Sequence, residues 1–407
     1  MKSVAALAVM AAFAASAFAQ DKPAASPPPS WHGGKPPAMA ESTLHPFAPH
    51  MTGRSAKELP LNTLKVPNGF KVEVYADGIP EARSLALGDK GTVFVSNRNA
   101  KNIYAVVNQG GKREVKTILK GLDAPNGIVF DKGTLYVAER GRITRYDGIE
   151  GKLDSPGEPK VVVDNLDPNR QAGHFWKFLT MGPDGKLYFN IGAPGNIVMP
   201  TYMEASIMRV DPNKGTLETV ALGVRNSVGM DFNPKKKELW FTNHGRDWQG
   251  NDLPNDTLHR VALGKAVPNF GYPFCHQGDT PDPDFGKHRS CAEFAKPAMK
   301  LGAHIASLGM RFYDGKMFPA EYQNNIFIAM HGSWNRETKQ GYNVMRVKLD
   351  EKGNAGKPEP FLTGFLQDEK GDPPMWGRPV DVLVMKDGSM LVSDDYNGVI
   401  YRVTYSK

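Results

Sequence analysis

Arginine and histidine residues recur at matching places along this chain of 407 residues, each beside a short apolar segment. Arginine carries a planar guanidinium group that pairs well with carboxylates and other anionic oxygens. A histidine among several arginines is expected to have a lowered pKa and to stay neutral, which is the state that a general base requires. Together these residue types could bind an anionic ligand and take a proton from a second molecule.

Short strands must position these side chains. A turn followed by alternating apolar residues occurs six times, at residues 92–95, 134–137, 186–189, 238–241, 325–328 and 389–392. Repetition of strands at this spacing is typical of a β-propeller with one blade for each repeat. The sequence therefore predicts an all-β fold, a six-bladed β-propeller formed by residues 59–407.

Hairpin turns predict that the polar residues share one face. A turn such as Pro183-Asp184-Gly185 joins the recurring strand to an apolar strand before it. A hairpin returns the chain to the side from which it came, so residues before its first strand and after its second strand lie together. This face is expected to collect Arg83, Arg98, Asn126, Arg140, His174, Gly192, Arg225, Asn226, His244, His304, Ser307, His331, Arg378 and Asp395. For any single arginine, a salt bridge within or between blades is the competing interpretation.

The overall charge does not indicate a nucleic-acid partner. The formal net charge is +7, but lysine and arginine are scattered, and the one basic run, residues 235–237, lies in a turn between apolar segments. Such a run is typical of a solvated hairpin tip.

The N-terminus has the pattern of a secretory signal. Lys2 precedes an apolar stretch, and Ala17-Phe18-Ala19 supplies the small residues of a cleavage site. We predict a signal peptide at residues 1–19, and a Pro/Ala-rich linker and N-terminal arm at 20–58 that is disordered to about Pro49. The apolar stretch is too short for a stable membrane span, so a periplasmic or secreted location is expected.

Two cysteines, Cys275 and Cys291, lie 16 positions apart in a loop-rich stretch. In an oxidising compartment a disulfide is the first expectation, and metal ligation is the lesser alternative. No Cys-x-x-Cys-His motif is present, so a covalently attached haem c is not predicted.

Five strings of residues occur in order along the chain: Gly173-His174 with residues 182–188, residues 222–226 (Leu-Gly-Val-Arg-Asn), residues 243–256, residues 269–273 (Asn-Phe-Gly-Tyr-Pro) and residues 331–336 (His-Gly-Ser-Trp-Asn-Arg). These strings resemble segments of the pyrroloquinoline quinone (PQQ)-dependent glucose/sorbosone dehydrogenases. The resemblance extends from about Gly69 to Tyr405.

The resemblance implies a role for each matched residue. His174 would be the general base, and Arg225 would contact the reactive oxygens of the quinone. The carbonyl oxygens of Gly245 and Arg246 would hold Ca²⁺, which prefers hard oxygen ligands. The remaining residues implied in cofactor binding are Asn126, Asn226, His331, Arg336 and Arg378. The substrate would be a sugar or a sugar-derived aldehyde or alcohol, and the electrons would pass to a separate acceptor, a cytochrome or a quinone.

Two other functions remain open, and a departure from the family pattern supports the first of them. Gly173 stands where the family commonly has an aspartate that orients the catalytic histidine. A non-catalytic binding propeller is therefore one alternative. The other is a calcium-dependent lactonase or esterase, which would need several carboxylates and amides at the channel mouth.

Overall fold

The protein is a six-bladed β-propeller in the computed structural model, which describes residues 30–167, 173–201 and 203–406. Six four-stranded antiparallel sheets form the blades, which confirms the predicted all-β fold and blade number. Blade one comprises Leu85–Leu87, Val93–Ser96, Ile103–Gln109 and Lys112–Leu119, and blade two comprises Ile128–Asp131, Thr134–Ala138, Ile143–Asp147 and Lys160–Val163. Blade three comprises Leu179–Met181, Leu187–Ile191, Ser206–Val210 and Leu217–Leu222, and blade four comprises Met230–Phe232, Leu239–Asn243, Asn255–Val261 and Met299–Ala303. Blade five comprises Ser307–Phe312, Ile326–Met330, Asn343–Val347 and Glu359–Leu362.

Blade six closes the ring with strands from both ends of the folded chain. Pro379–Val384, Met390–Asp394 and Val399–Tyr405 are joined by the early strand Phe70–Ala76, which pairs antiparallel with Val399–Tyr405. The first strand of blades one to five is the innermost, as is Pro379–Val384 in blade six, and each contacts its counterparts in the two neighbouring blades. The ring therefore surrounds one central channel.

Packing between blades explains why the six recurring strands are so apolar. Five of the six second strands, such as Leu187–Ile191 and Ile326–Met330, are buried along their whole length. Because each sheet packs against a sheet on either side, both faces of a strand near the channel meet apolar neighbours. Trp240 and Phe312, for example, pack edge to face between blades four and five.

Other regular elements lie in the connections. A small hairpin pairs Cys275–His276 with Thr280–Pro281, and a disulfide joins Cys275 to Cys291, as predicted. Single 3-10 turns occur at Ser30–His32, Pro37–Met39, Ala56–Glu58, Leu61–Thr63, Ile149–Gly151, Cys291–Glu293 and Ala320–Tyr322. Among the described residues no helix has the length and apolar character needed to cross a membrane.

The N-terminal segment differs from expectation where it is described. The predicted signal peptide, residues 1–19, lies outside the described residues. Residues 30–58, which we call the N-terminal arm, lie against the propeller, although the Pro/Ala-rich composition predicted disorder to about Pro49. Backbone carbonyls of the arm accept hydrogen bonds from side chains of the propeller, including Trp248 and Arg378, and these contacts fix a segment that has few apolar residues of its own.

Candidate active site

A cavity of about 370 Å³ lies at one face of the propeller, where the predicted polar residues meet. It is lined by twelve of the residues singled out from the sequence: Arg83, Arg98, Gly173, His174, Arg225, Asn226, His244, Gly245, His304, His331, Arg378 and Asp395. Trp31, Pro46 and Phe47 of the N-terminal arm also line it. Asn126, Arg140, Arg246 and Arg336 are not part of its lining.

His174 is held by the backbone. Its Nδ1 lies 3.0 Å from the carbonyl oxygen of Ala193, so Nδ1 carries the proton and donates it in this hydrogen bond. The Nε2 atom has no hydrogen-bond partner among the described residues and keeps its lone pair. Burial lowers the pKa of His174 well below its usual value, and the charge of Arg225 lowers it further. The ring is therefore neutral and has the protonation state of a base.

Gly173 is a glycine because no side chain fits there. A Cβ at this position would lie 2.2 Å from the carbonyl carbon of Pro194 and 2.5 Å from the carbonyl oxygen of Ala193. These are backbone atoms, which cannot move aside as a flexible side chain could. An aspartate at position 173 is therefore excluded by this backbone, and the Ala193 carbonyl takes over the orientation of His174.

Arg225 is fixed by oxygens from three residues. Its Nε and Nη2 donate to the backbone and side-chain oxygens of Asn196, and its Nη1 donates to the carbonyl oxygen of Gly245 at 2.7 Å. Nη2 also forms a salt bridge of 2.9 Å with Asp247. The guanidinium group is thus a preorganised positive charge in the cavity, beside His174.

Asn226 presents an unpaired oxygen. Its Nδ2 donates to Nδ1 of His244, whose Nε2 donates to the carbonyl oxygen of Ser307. Burial lowers the pKa of His244, which keeps the ring neutral for this arrangement. The Oδ1 atom of Asn226 is buried and has no hydrogen-bond partner among the described residues. A buried polar atom of this kind is costly unless a ligand or water satisfies it.

Asp395 is the centre of a buried cluster drawn from three blades. It accepts hydrogen bonds from Arg83 Nη1 at 2.6 Å, Arg378 Nε at 2.7 Å and His331 Nε2 at 3.0 Å. Burial alone would raise the pKa of Asp395, but Arg378, His331 and Arg83 outweigh it and hold the pKa well below the usual value. Burial lowers the pKa of His331 to about 3, so two cations, one anion and a neutral imidazole share this space.

Most of the arginine charge in the cavity is already paired. Arg83 and Arg378 share Asp395, Arg98 lies 3.4 Å from Glu81, and Arg225 pairs with Asp247. The salt-bridge interpretation thus applies to each of these arginines. Nη2 of Arg83 and Nη2 of Arg378 have no protein acceptor within the described part of the chain, and both residues line the cavity.

Three residues implied in cofactor binding or metal binding lie behind the cavity wall. Both polar atoms of the Asn126 side chain are hydrogen-bonded within the protein. Oδ1 accepts from Arg83, and Nδ2 donates to the carbonyl oxygen of Lys177. The side chain of Arg246 forms a salt bridge with Asp282. Arg336 donates to carbonyl oxygens of its own loop and of Asn251. These three side chains support the site and do not line it.

One of the two backbone oxygens expected to bind calcium is occupied. The Gly245 carbonyl accepts from Arg225 Nη1, so a calcium ion on this oxygen would lie against a guanidinium of the same charge sign. Within the described ranges, no three His, Cys, Asp or Glu residues are grouped to hold a metal. In this arrangement the Gly245 carbonyl therefore does not fit a Ca²⁺ site.

Comparison with known proteins places the chain in a family. A family model described as TrAA12-like matches residues 64–406. The chain belongs to the TrAA12-like family. The resemblance found in the sequence strings is thereby confirmed at the level of the family.

Two sequence relatives and two solved structures illustrate this TrAA12-like chain's similarities. An uncharacterised protein of Borreliella burgdorferi is 33% identical over 357 residues, 85% of this chain and 92% of that protein. A PQQ-dependent pyranose dehydrogenase of Coprinopsis cinerea is 24% identical over 340 residues, 71% of this chain and 45% of that protein. The holo PQQ domain of this pyranose dehydrogenase matches with a TM-score of 0.70 at 20% identity, covering 84% of this chain and 97% of the domain. A Trichoderma reesei structure of Carbohydrate-Active Enzymes Family AA12 matches with a TM-score of 0.74 at 19% identity, covering 89% and 100% of the two chains.

Some residues of the site could not be found from the sequence. The hairpin rule placed Asp395 on the correct face, but no local pattern indicated that it would bind Arg83, Arg378 and His331 together. The Ala193 carbonyl is a backbone group and has no residue-type signal. Trp31 and Phe47 stand in a segment whose composition indicated a linker, although two aromatic residues in a Pro/Ala-rich stretch were an available signal.

Proposed function

We propose that this protein is an oxidoreductase that uses PQQ to oxidise a sugar, or an alcohol or aldehyde derived from a sugar. The observation that carries the proposal is the neutral His174, with Nδ1 fixed by Ala193 and Nε2 left as an acceptor, in the same cavity as the fixed charge of Arg225. Membership of the TrAA12-like family supports the reaction class, as does the relation to a PQQ-dependent pyranose dehydrogenase.

The cavity has groups that suit a planar quinone with three carboxylates. The unpaired Nη2 groups of Arg83 and Arg378 can donate to carboxylate oxygens, for which guanidinium forks are well shaped. The buried Oδ1 of Asn226 can accept from a donor on the cofactor. His331, whose Nε2 donates to Asp395, has its other ring nitrogen available on the same side of the channel. These four residues would hold the cofactor.

His174 and Arg225 would then have different roles in a two-electron oxidation. PQQ, when bound, supplies the acceptor for a hydride from the substrate carbon. His174 Nε2 takes the proton of the substrate hydroxyl as the C–H bond breaks and the carbonyl forms, so one hydride and one proton leave the substrate. Arg225 stabilises negative charge that develops next to it, and its hydrogen bonds prevent it from reorienting during the reaction.

Calcium is not included in this proposal, because Arg225 already binds the Gly245 carbonyl. We expect PQQ to bind with similar affinity in calcium-free buffer containing a chelator and in millimolar calcium. Binding that requires calcium would show that Arg225 leaves Gly245, and would restore the metal site implied by the family resemblance.

We also propose that the protein works outside the cytoplasm and passes electrons to a separate carrier, a cytochrome or a quinone. The disulfide between Cys275 and Cys291 supports an oxidising compartment, where such bonds persist. Fractionation of the native host, with detection of the protein in the periplasm or medium, tests the location.

The function is tested by reconstitution with PQQ followed by a dye-reduction assay with aldoses, sugar aldehydes and sugar alcohols. We expect a shift of the PQQ absorbance on binding and sugar-dependent reduction of the dye. Binding without turnover on any sugar would favour the non-catalytic binding propeller. Failure to bind PQQ, together with hydrolysis of a lactone or ester, would favour the lactonase alternative.

A further inference from the structure

The N-terminal arm bridges opposite sides of the cavity mouth. Near its start, the carbonyl oxygens of Trp31 and Gly33 accept from Trp248 Nε1 and Asn196 Nδ2, each at 2.7 Å. Asn196 and Trp248 follow the second strands of blades three and four. Further along the arm, the Phe47 carbonyl accepts from Arg378, at the start of blade six. Blades three and six face each other across a six-bladed ring, so the arm spans the mouth between them.

These anchors are backbone atoms, and some side chains of the arm make further contacts with the propeller. Phe47 packs at the edge of the apolar core of blades five and six, and the Lys35 ammonium lies 5.1 Å from the centre of the Trp248 ring. Trp31, Pro46 and Phe47 line the cavity, and Trp31 and Phe47 are half-buried there. Below them, Trp248 packs edge to face on Trp334, with ring centroids 5.4 Å apart, and Trp334 also lines the cavity. The mouth therefore has an aromatic wall built from the arm and from the loop of blade five.

We infer that Trp31 and Phe47 determine substrate specificity, by covering the apolar face of a monosaccharide ring and by blocking the position of a second sugar unit. This inference rests on the proposed function. A sugar ring carries a face of C–H groups, and burial of that face against rigid aromatic rings is favourable. Because the N-terminal arm is held on both sides of the cavity mouth, it also limits the length of a saccharide that can enter while its reacting end lies near His174.

The experiment uses the full-length PQQ-loaded protein with Trp31→Ala, Phe47→Ala and the double variant. Both substitutions retain the backbone carbonyls that hold the arm, so Arg378 and Trp248 keep their partners. Met51→Ala is the matched control, because Met51 belongs to the arm, is 44% exposed and does not line the cavity. Glucose and maltose serve as probes of one and two sugar units, and PQQ affinity is measured for each variant by absorbance.

We expect KM for glucose to rise about three- to tenfold in each single variant, the effect of losing one aromatic contact. The turnover number and the PQQ affinity should remain within about twofold of wild type. The preference for glucose over maltose, measured as the ratio of the two kcat/KM values, should fall by a factor similar to the rise in KM for glucose. Met51→Ala should behave as wild type. Unchanged KM and unchanged preference in the double variant would overturn the inference.

A calorimetric titration with glucose, without an electron acceptor, separates this inference from the proposed function. A wild-type protein that binds glucose but does not oxidise it, with weaker binding in the Trp31 and Phe47 variants, would refute the proposed function and retain the role of the arm. A wild-type protein that neither binds nor oxidises glucose or maltose would overturn the inference about the arm, whereas the proposed function is decided by the wider screen of aldoses, sugar aldehydes and sugar alcohols.

Discussion

The imidazole of His174 is oriented by the backbone carbonyl of Ala193, which lies 3.0 Å from Nδ1. A carboxylate in this place would fix the same tautomer and would also stabilise the imidazolium form. A carbonyl fixes the tautomer but carries no charge, so it opposes the effect of burial and of Arg225 only weakly, and the pKa remains low. The site thus obtains a correctly oriented base that is neutral over a wide pH range.

Replacement of His174 by glutamine tests whether this base performs the chemistry. We expect turnover to fall by about 10²- to 10⁴-fold, the usual contribution of a positioned acid–base group. PQQ affinity should change little, because Arg83, Arg378 and Asn226 are intact. His288→Ala, in an exposed loop, is the control and should have wild-type turnover. Turnover of the wild-type level in the glutamine variant would require another base, with His331 or His304 the first to examine.

Gly173→Ala tests the contact between the two backbone segments that hold His174. The added Cβ would lie within 2.2 to 2.5 Å of atoms of Pro194 and Ala193, so these segments must separate. We expect a loss of about 1–3 kcal/mol in the free energy of unfolding, typical of overpacking, and a lower turnover number with little change in PQQ affinity. Gly141→Ala is the matched control, since nothing lies within 4 Å of its Cβ. Equal thermal stability and turnover of the two variants would contradict this account of Gly173.

Asp395→Asn tests the buried cluster. The substitution leaves Arg83 and Arg378 without their carboxylate, and removing one member of a buried ion pair costs about 3–5 kcal/mol of unfolding free energy. We expect a lower melting temperature, which PQQ should raise by more than it raises that of the wild type, because the cofactor supplies negative charge. Glu359→Gln, which breaks an exposed pair with Lys348, should change stability by less than about 1 kcal/mol. A wild-type melting temperature for Asp395→Asn would contradict the assignment.

The sequence predicts which residues share one face of the propeller better than it predicts which of these residues contact one another. Local hairpin turns determine on which side a strand begins and ends, so His174, Arg225 and Asp395 could be assigned to one face from the order of residues alone. Which carboxylate binds which arginine depends on distances between blades that no local pattern encodes. Asp395 meets Arg83 across the closure of the ring, from residues more than 300 positions apart. The arm docks through backbone carbonyls, and residue composition contains no information about such contacts.

His259 allows a prediction of how stability depends on pH. Its ring stacks on Phe241 and meets the edge of Phe270, its Nε2 contacts the Thr257 hydroxyl, and its Nδ1 has no partner among the described residues. Burial lowers the pKa of His259 to about 3, whereas an unfolded histidine has a pKa of about 6.5. Below pH 6.5 the unfolded chain therefore binds a proton that the folded protein does not bind. Unfolding is favoured as the pH falls, by about 1.4 kcal/mol per pH unit for this group.

We expect the unfolding free energy to be nearly constant from pH 7 to 8 and to decrease between pH 6.5 and 5, a window that lies above the titration of most carboxylates in unfolded chains. His331, whose pKa is lowered to about 3, should contribute in the same direction. His259→Phe replaces the ring by an apolar one in an aromatic setting and removes one of these protons, so its stability should decrease less steeply over the same window. Denaturant unfolding of both proteins at pH 5, 6 and 8 measures the difference, with pH 8 as the reference at which both histidines are neutral in both states. Parallel curves for the two proteins would show that His259 is protonated in the folded state as readily as in the unfolded chain.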